Sequence, residues 1–111
     1  MSVLLEFSIF PLDKGVSVSE EVSRVIEMID STGIEYQLTA MGTLIETPNI
    51  TEALAIVEQA AQIIHGAGCQ RVYAAIKIDS RPAREHGLQG KIESIQKRLG
   101  EVNLNPGVES D

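Results

Sequence analysis

The chain has no tryptophan, two tyrosines and two phenylalanines, so aromatics make up only 4% of its 111 residues. A core built on large rings is excluded, and Val, Ile, Leu, Ala and Met must supply it. One cysteine, Cys69, excludes an intrachain disulfide and points to a reducing compartment. Cations are scarce: 9 Lys and Arg stand against 16 Asp and Glu, a net charge of −7. Broad binding to a phosphate backbone needs clustered Lys and Arg, so nucleic acid is not an expected partner. No apolar run is long enough to span a bilayer, and Met1-Ser2-Val3-Leu4-Leu5-Glu6 carries no basic leader region. A cytoplasmic location without a membrane partner is the expectation.

What is present is ordinary globular material: 43% hydrophobic and 23% charged residues. The length suits one domain. We expect it over residues 1–99, followed by a flexible acidic tail over 100–111 that contains Pro106 and Gly107.

Val3, Leu5, Phe7 and Ile9 alternate with Leu4, Glu6, Ser8 and Phe10, a period of two that predicts a strand ended by Pro11. Ser17 with Glu20 fits a capping box, and Val18, Val22, Val25, Ile26 and Ile29 recur at helical spacing. Gly33 suits the left-handed residue after a helix. Ile34 to Thr39 and Thr43 to Thr47 read as a hairpin turning at Met41-Gly42. Asn49 with Glu52, or Thr51 alone, can cap a second helix, which Gly66 and Gly68 stop. Val72, Ala74, Ile76 and Ile78 alternate with Tyr73, Ala75 and Lys77 in a fourth strand. Arg81 to Gly90 reads as a polar loop, and Ile92, Ile95 and Leu99 mark a short third helix.

The order β-α-β-β-α-β plus a helix predicts an α+β, ferredoxin-like sandwich: a four-stranded antiparallel sheet in the order fourth, first, third, second. Its two main helices share one face, and a short C-terminal helix follows. The helix-facing set is expected to be Val3, Leu5, Phe7 and Ile9 with Val72, Ala74, Ile76 and Ile78. The opposite, open face would carry Leu4, Glu6, Ser8, Phe10, Tyr73, Ala75 and Lys77. That face is neither cleanly polar nor cleanly apolar, which suits sheet-to-sheet association, a ligand floor, or both.

His65 and His86 are isolated and Cys69 has no partner cysteine, so no metal constellation appears. His65 falls in a last helical turn, where a cation complements the dipole. No nucleophile elbow, Walker motif or dinucleotide fingerprint is found. Gly66-Ala67-Gly68 follows a helix and cannot cradle a phosphate at a helix start. Three segments are richer. Ser17-Val18-Ser19 offers two hydroxyls where a cap needs one. Met41-Gly42-Thr43 leads to Glu46, a carboxylate that a short strand does not need. Lys77, Asp79 and Arg81 cluster near the end of the fourth strand, although surface ion pairing alone would account for them.

Ser17-Val-Ser19, Tyr36-x-Leu38, Met41-Gly-Thr43-x-x-Glu46 and Arg71-Val-Tyr73-x-x-Ile76-Lys77-Ile78-Asp79-x-Arg81 together resemble the small thiamine-binding protein family of the YkoF-like superfamily. The likeness runs from about Val3 to Leu99. It implies a ferredoxin-like fold, homo-oligomers (dimer or tetramer) built through the sheets, and non-enzymatic binding of thiamine or its hydroxymethylpyrimidine part, with no cofactor. A thiamine site needs a carboxylate or amide for the aminopyrimidine edge, an apolar wall and orienting hydroxyls. Glu6 and Glu46 can supply carboxylates. Met41, Phe10 and Tyr73 can supply walls, and Ser8, Ser17, Ser19, Gln37 and Thr43 neutral hydrogen bonds. Lys77 would oppose a bare thiazolium but meet a phosphate. The expected ligand-binding set is therefore Glu6, Ser8, Ser17, Ser19, Met41, Gly42, Thr43, Glu46 and Lys77, gathered by the hairpin and the start of the first helix. Two alternatives stay open: a small-metabolite enzyme or regulatory subunit using Lys77 and Glu46 as an acid–base pair, and a purely structural oligomer module.

Overall fold

Val3, Leu5, Phe7 and Ile9 leave one side of the first strand, and the fold is organised by what covers them. The computed structural model describes residues 2–13, 19–82 and 87–99. Strand β1 (Ser2–Pro11) is followed by helix α1 (Ser19–Thr32), the hairpin β2 (Glu35–Thr39) and β3 (Gly42–Thr47), helix α2 (Ile50–Gly66), strand β4 (Val72–Arg81) and helix α3 (Gly87–Leu99). The sheet order is β2-β3-β1-β4 with every neighbour antiparallel, which is the expected ferredoxin-like arrangement.

Alternation puts the four apolar β1 residues on one face with Ile45 of β3, and α1 and α2 close over them. Val25 and Ile29 come from α1, and Ala53, Ile56, Ala60 and Ile64 from α2, all buried. The alanines let α2 approach the sheet closely. Burying an Ile or Leu side chain of this kind stabilises by about 1.5–3 kcal/mol. Gly33 takes φ +77° after α1, as its place in the sequence requires. Asn49, in an extended conformation, caps α2 by accepting from Glu52 N–H at 2.8 Å. His65 lies in the last turn of α2, and its Nδ1 is 2.7 Å from the carbonyl of the buried Cys69. Asp13 ties the end of β1 to the start of β4 by accepting from Gln70 N–H at 2.7 Å.

Several expectations change. The capping serine Ser17, His86 and the tail 100–111 lie outside the described residues. Pro11 is the last residue of β1, as expected, and it still pairs opposite Val72. The loop expected from Arg81 to Gly90 is shorter, because β4 runs to Arg81 and α3 already begins at Gly87. Leu88 and Ile92 stand four apart, so helical periodicity starts before the glycine at 90. Ala74, Ile76 and Ile78 do point toward the helix layer, but they are not core: Ile76 and Ile78 are each 42% exposed. Strand β4 is an edge, and the helix layer is centred on β1.

Candidate functional site

The register fixes which polar groups can meet. Leu4, Glu6, Ser8 and Phe10 share the face away from α1 and α2 with Asp79, Lys77, Ala75 and Tyr73 of β4, each directly opposite its β1 partner. On the other flank Leu4 faces Glu46 and Glu6 faces Leu44. Glu46 and Leu44 face Glu35 and Gln37 in turn. One row across the sheet therefore reads Lys77, Glu6, Leu44, Gln37, and the next reads Asp79, Leu4, Glu46, Glu35.

This face is not fully open. Helix α3 lies against it, because Leu4 and Leu44 leave an apolar strip that Leu88 and Ile92 cover. Between α3 and the sheet is a cleft of about 450 Å³. Its walls are Leu4, Leu44, Leu88 and Ile92; its polar groups are Glu6, Gln37, Lys77 and Asp79. The size and composition suit a small organic molecule: apolar walls with a few convergent polar groups. Glu6 and Lys77 stand opposite each other, yet no ion pair joins them among the described residues.

Glu46 lies beside the cleft and does not line it. Its Oε2 accepts from Ser2 Oγ at 3.0 Å and from Leu88 N–H, in the first turn of α3, at 3.2 Å. Glu46 and Lys77 are separated by β1 and stand in different rows, roughly 10 Å apart on strand spacing. The acid–base pair imagined for an enzyme is not assembled.

The hairpin motif divides between the two faces. Thr43 and Glu46 are three residues apart on one strand, so their side chains leave it on opposite sides. Thr43 faces the helix side, opposite Phe7, and is 6% exposed. Its hydroxyl has no hydrogen-bond partner among the described residues. With Ser8, Met41 and Gly42 it lines a second hollow of about 380 Å³ at the turn end of the sheet, walled by Phe7, Phe10, Val22, Ile26 and Leu38. Met41, expected as a wall, is 86% exposed at the tip of the turn. Gly42 is not required by the turn's conformation. A Cβ there would lie 3.0 Å from the carbonyl oxygen of Phe7, so it is the closeness of β1 that demands glycine. The turn itself is held by Thr39 Oγ1, which accepts from Met41 and Gly42 N–H and donates to the Gly42 carbonyl.

Ser19 is the first residue of α1 and is exposed; its carbonyl accepts from Ser23 Oγ at 2.6 Å. Tyr73 and Phe10 pack against each other with their rings tilted by 39° and centroids 5.6 Å apart, and neither lines the α3 cleft. Glu6 and Lys77 are thus in one cleft, Ser8 and Met41 to Thr43 in another, and Glu46 between α3 and β1. Gln37, expected only as a neutral hydrogen-bonding group, lies on the cleft floor, while Asp79, Leu44, Leu88 and Ile92 are lining residues that the sequence does not single out as ligand-binding. The spacing of Leu88 and Ile92 was a usable signal for a helix seated on the sheet. Away from both hollows, Tyr36 donates to Asp30 Oδ1 at 2.9 Å. That hydrogen bond, then partial desolvation and the Asp30 charge, raise its phenol above the usual value of 10.0.

No metal-ligand cluster of His, Cys, Asp and Glu occurs among the described residues, and no described helix is long and apolar enough to cross a membrane. A sequence model of the family described as thiamine-binding protein matches residues 5–96. A UPF0045 protein of Methanothermobacter thermautotrophicus is 31% identical over 98 residues, covering 87% of this chain and 99% of the relative. The structure of a Bacillus cereus domain of unknown function, DUF77, superimposes with a TM-score of 0.76 at 28% identity, over 88% of this chain and 93% of that one. A Thermotoga maritima protein named for thiamine biosynthesis or salvage has a TM-score of 0.71 over 85% of this chain and 99% of its own. At 19% identity that likeness speaks for the fold.

Proposed function

The chain belongs to the thiamine-binding protein family, and we propose that it binds thiamine, or the hydroxymethylpyrimidine part of it, in the cleft between α3 and the sheet. The observation that carries this is the row Glu6, Leu44, Gln37 on the cleft floor. A carboxylate there can accept from the 4-amino group of the pyrimidine. The Gln37 amide can donate its N–H to a ring nitrogen and accept, through its carbonyl oxygen, from the amino group. Leu4, Leu44, Leu88 and Ile92 supply flat apolar contact to the ring. The reading is of binding without catalysis and without a cofactor, as suits vitamin sensing, storage or handover in a reducing, cytoplasmic setting.

Calorimetric titration of thiamine, hydroxymethylpyrimidine and the thiamine phosphates into the parent protein and Glu6→Gln tests it. Gln keeps the shape and removes the charge, and losing a hydrogen bond to a charged group costs roughly 1.5–3 kcal/mol. The expected result is a weakening of about tenfold to a hundredfold. If none of these compounds binds at millimolar concentration the function is wrong; if Glu6→Gln binds like the parent, the cleft is the wrong site. One observation favours a second position for the same ligand, the buried hydroxyl of Thr43 in the turn-end hollow, which has no partner among the described residues. Loss of binding in Thr43→Val, with Glu6→Gln unaffected, would select it.

We also propose self-association through β4. It is an edge strand of 10 residues with Ile76, Ile78 and Tyr73 exposed, the kind of edge that templates pairing with another chain. Light scattering at micromolar concentration should return a dimer or tetramer mass, and a monomer mass would remove the claim.

A further inference from the structure

Glu46 stands where a carboxylate is a poor choice for the sheet itself. Its partner on β2 is Glu35, and like charges directly opposite one another destabilise a strand pair. Its partner on β1 is the buried, apolar Leu4. What the carboxylate has instead is a position between two distant parts of the chain, accepting from Ser2 Oγ on β1 and from Leu88 N–H on α3.

Helix α3 has a matching need. The N–H groups of a first helical turn have no partner inside the helix and carry partial positive charge. Its first turn contains no acidic residue of its own. At 13 residues it has the length at which an isolated helix is marginal in water, so it must be held by tertiary contacts. On the cleft side those contacts are the side chains of Leu88 and Ile92 and the bond from Leu88 N–H to Glu46.

We infer that Glu46 is a positioning residue for ligand binding: it holds α3 in place as the movable wall of the cleft, and acts on affinity without touching the ligand. This rests on the reading that the α3 cleft is the binding site. The negative charge opposite Glu35 is kept because a helix recruited from 42 residues further along the chain needs a carboxylate at its start. Affinity and helix opening are then coupled, and the coupling is reciprocal: what holds α3 closed favours the ligand, and the ligand holds α3 closed.

Amide hydrogen exchange, with and without saturating thiamine, tests this in the parent, Glu46→Ala, Glu46→Gln and the distant surface variant Glu58→Gln. In Glu46→Ala, exchange over residues 88–92 should accelerate by roughly tenfold to a hundredfold, the size expected for a lost charged hydrogen bond. The amides of β1 and β3 should keep their parent rates. Thiamine affinity should fall by a similar factor, and the protection that thiamine confers on α3 should shrink with it. Glu46→Gln retains an acceptor and should restore part of both effects; Glu58→Gln should match the parent in both. Unchanged exchange over 88–92 in Glu46→Ala would overturn the inference, and so would faster exchange with unchanged affinity. Should Glu46→Ala loosen the whole sheet, the same comparison is decided on Glu46→Gln. If thiamine does not bind the parent, the proposed ligand is at fault. The ligand-free exchange rates still decide whether Glu46 holds the helix.

Discussion

Glu6 of β1 and Lys77 of β4 are cross-strand partners on the floor of one cleft, and among the described residues no ion pair joins them. Opposite charges placed this way normally meet and contribute a few tenths of a kcal/mol. A charged ligand in the cleft would feel the two with opposite signs. A carboxylate attracts the thiazolium of thiamine, and an ammonium repels it.

Removing the repulsion should therefore strengthen binding. Lys77 is exposed, so its effect is screened and of the order of an exposed charge pair, up to about 1 kcal/mol. Lys77→Gln should bind thiamine about two- to fivefold more tightly at low salt, with the gain fading as salt rises. Hydroxymethylpyrimidine, which carries no thiazolium, should bind within about twofold of the parent. Calorimetry at two ionic strengths reads both, and a loss of thiamine affinity in Lys77→Gln would mean that the lysine contacts the ligand directly.

Thr43 gives a prediction about stability. A buried hydroxyl without a partner is destabilising, and valine has the same shape without the polar atom. Valine is also a strong strand former. Thr43→Val should raise the stability of the ligand-free protein by roughly 0.5–1.5 kcal/mol, read as a higher urea midpoint at unchanged slope. A lower midpoint would reveal a partner for the hydroxyl.

Tyr36 should ionise late. Its proton is held by Asp30, so the folded pKa lies above the unfolded value. The folded state thus binds this proton more tightly. The stabilisation is fully present below pH about 10 and is lost as pH rises through the raised folded value. Ultraviolet difference titration of the phenols should show a late component that vanishes in Tyr36→Phe and moves to lower pH in Asp30→Asn. A profile unaltered by Asp30→Asn would remove the assignment.

Asn49 should be worth about 1 kcal/mol to the fold, the usual effect of an N-cap side chain. Asn49→Ala should lower the urea midpoint accordingly, while Asn49→Ser should restore most of it. Equal midpoints for the parent and Asn49→Ala would show the cap to be idle.

Much of the fold was legible because its signals were local. The alternation in Val3 to Ile9, the capping pair Asn49 and Glu52, and the left-handed Gly33 each belong to a few consecutive residues, and each is found where expected. The site was less legible because it depends on register across strands. A motif written Met41-Gly42-Thr43-x-x-Glu46 looks like one cluster along the chain, but a pleated strand sends Thr43 and Glu46 to opposite faces. Gln37 reaches the cleft floor only because it pairs with Leu44, and Leu44 because it pairs with Glu6. The glycines at 87 and 90 argued for a loop, and the periodicity of Leu88 and Ile92 outweighed them. Exposure of Ile76 and Ile78 could not be read from pattern either, since an apolar residue on an edge strand looks the same in sequence as one in the core.

The central place of β1 bears on the order in which the molecule can be built. Its two neighbours come from far along the chain: Val3 pairs with Thr47 on one side and with Ser80 on the other. A growing chain released as far as Thr47 can close only the first of these pairs, and β1 keeps one bare edge until the residues around 80 arrive. The seat of α3 needs Leu4, Leu44 and Glu46 already in place, and the helix itself is the last described element to emerge. On a ribosome, then, the cleft is the last part of the described structure to form, and a chain interrupted between residues 82 and 87 owns the whole sheet without the wall that α3 gives this cleft.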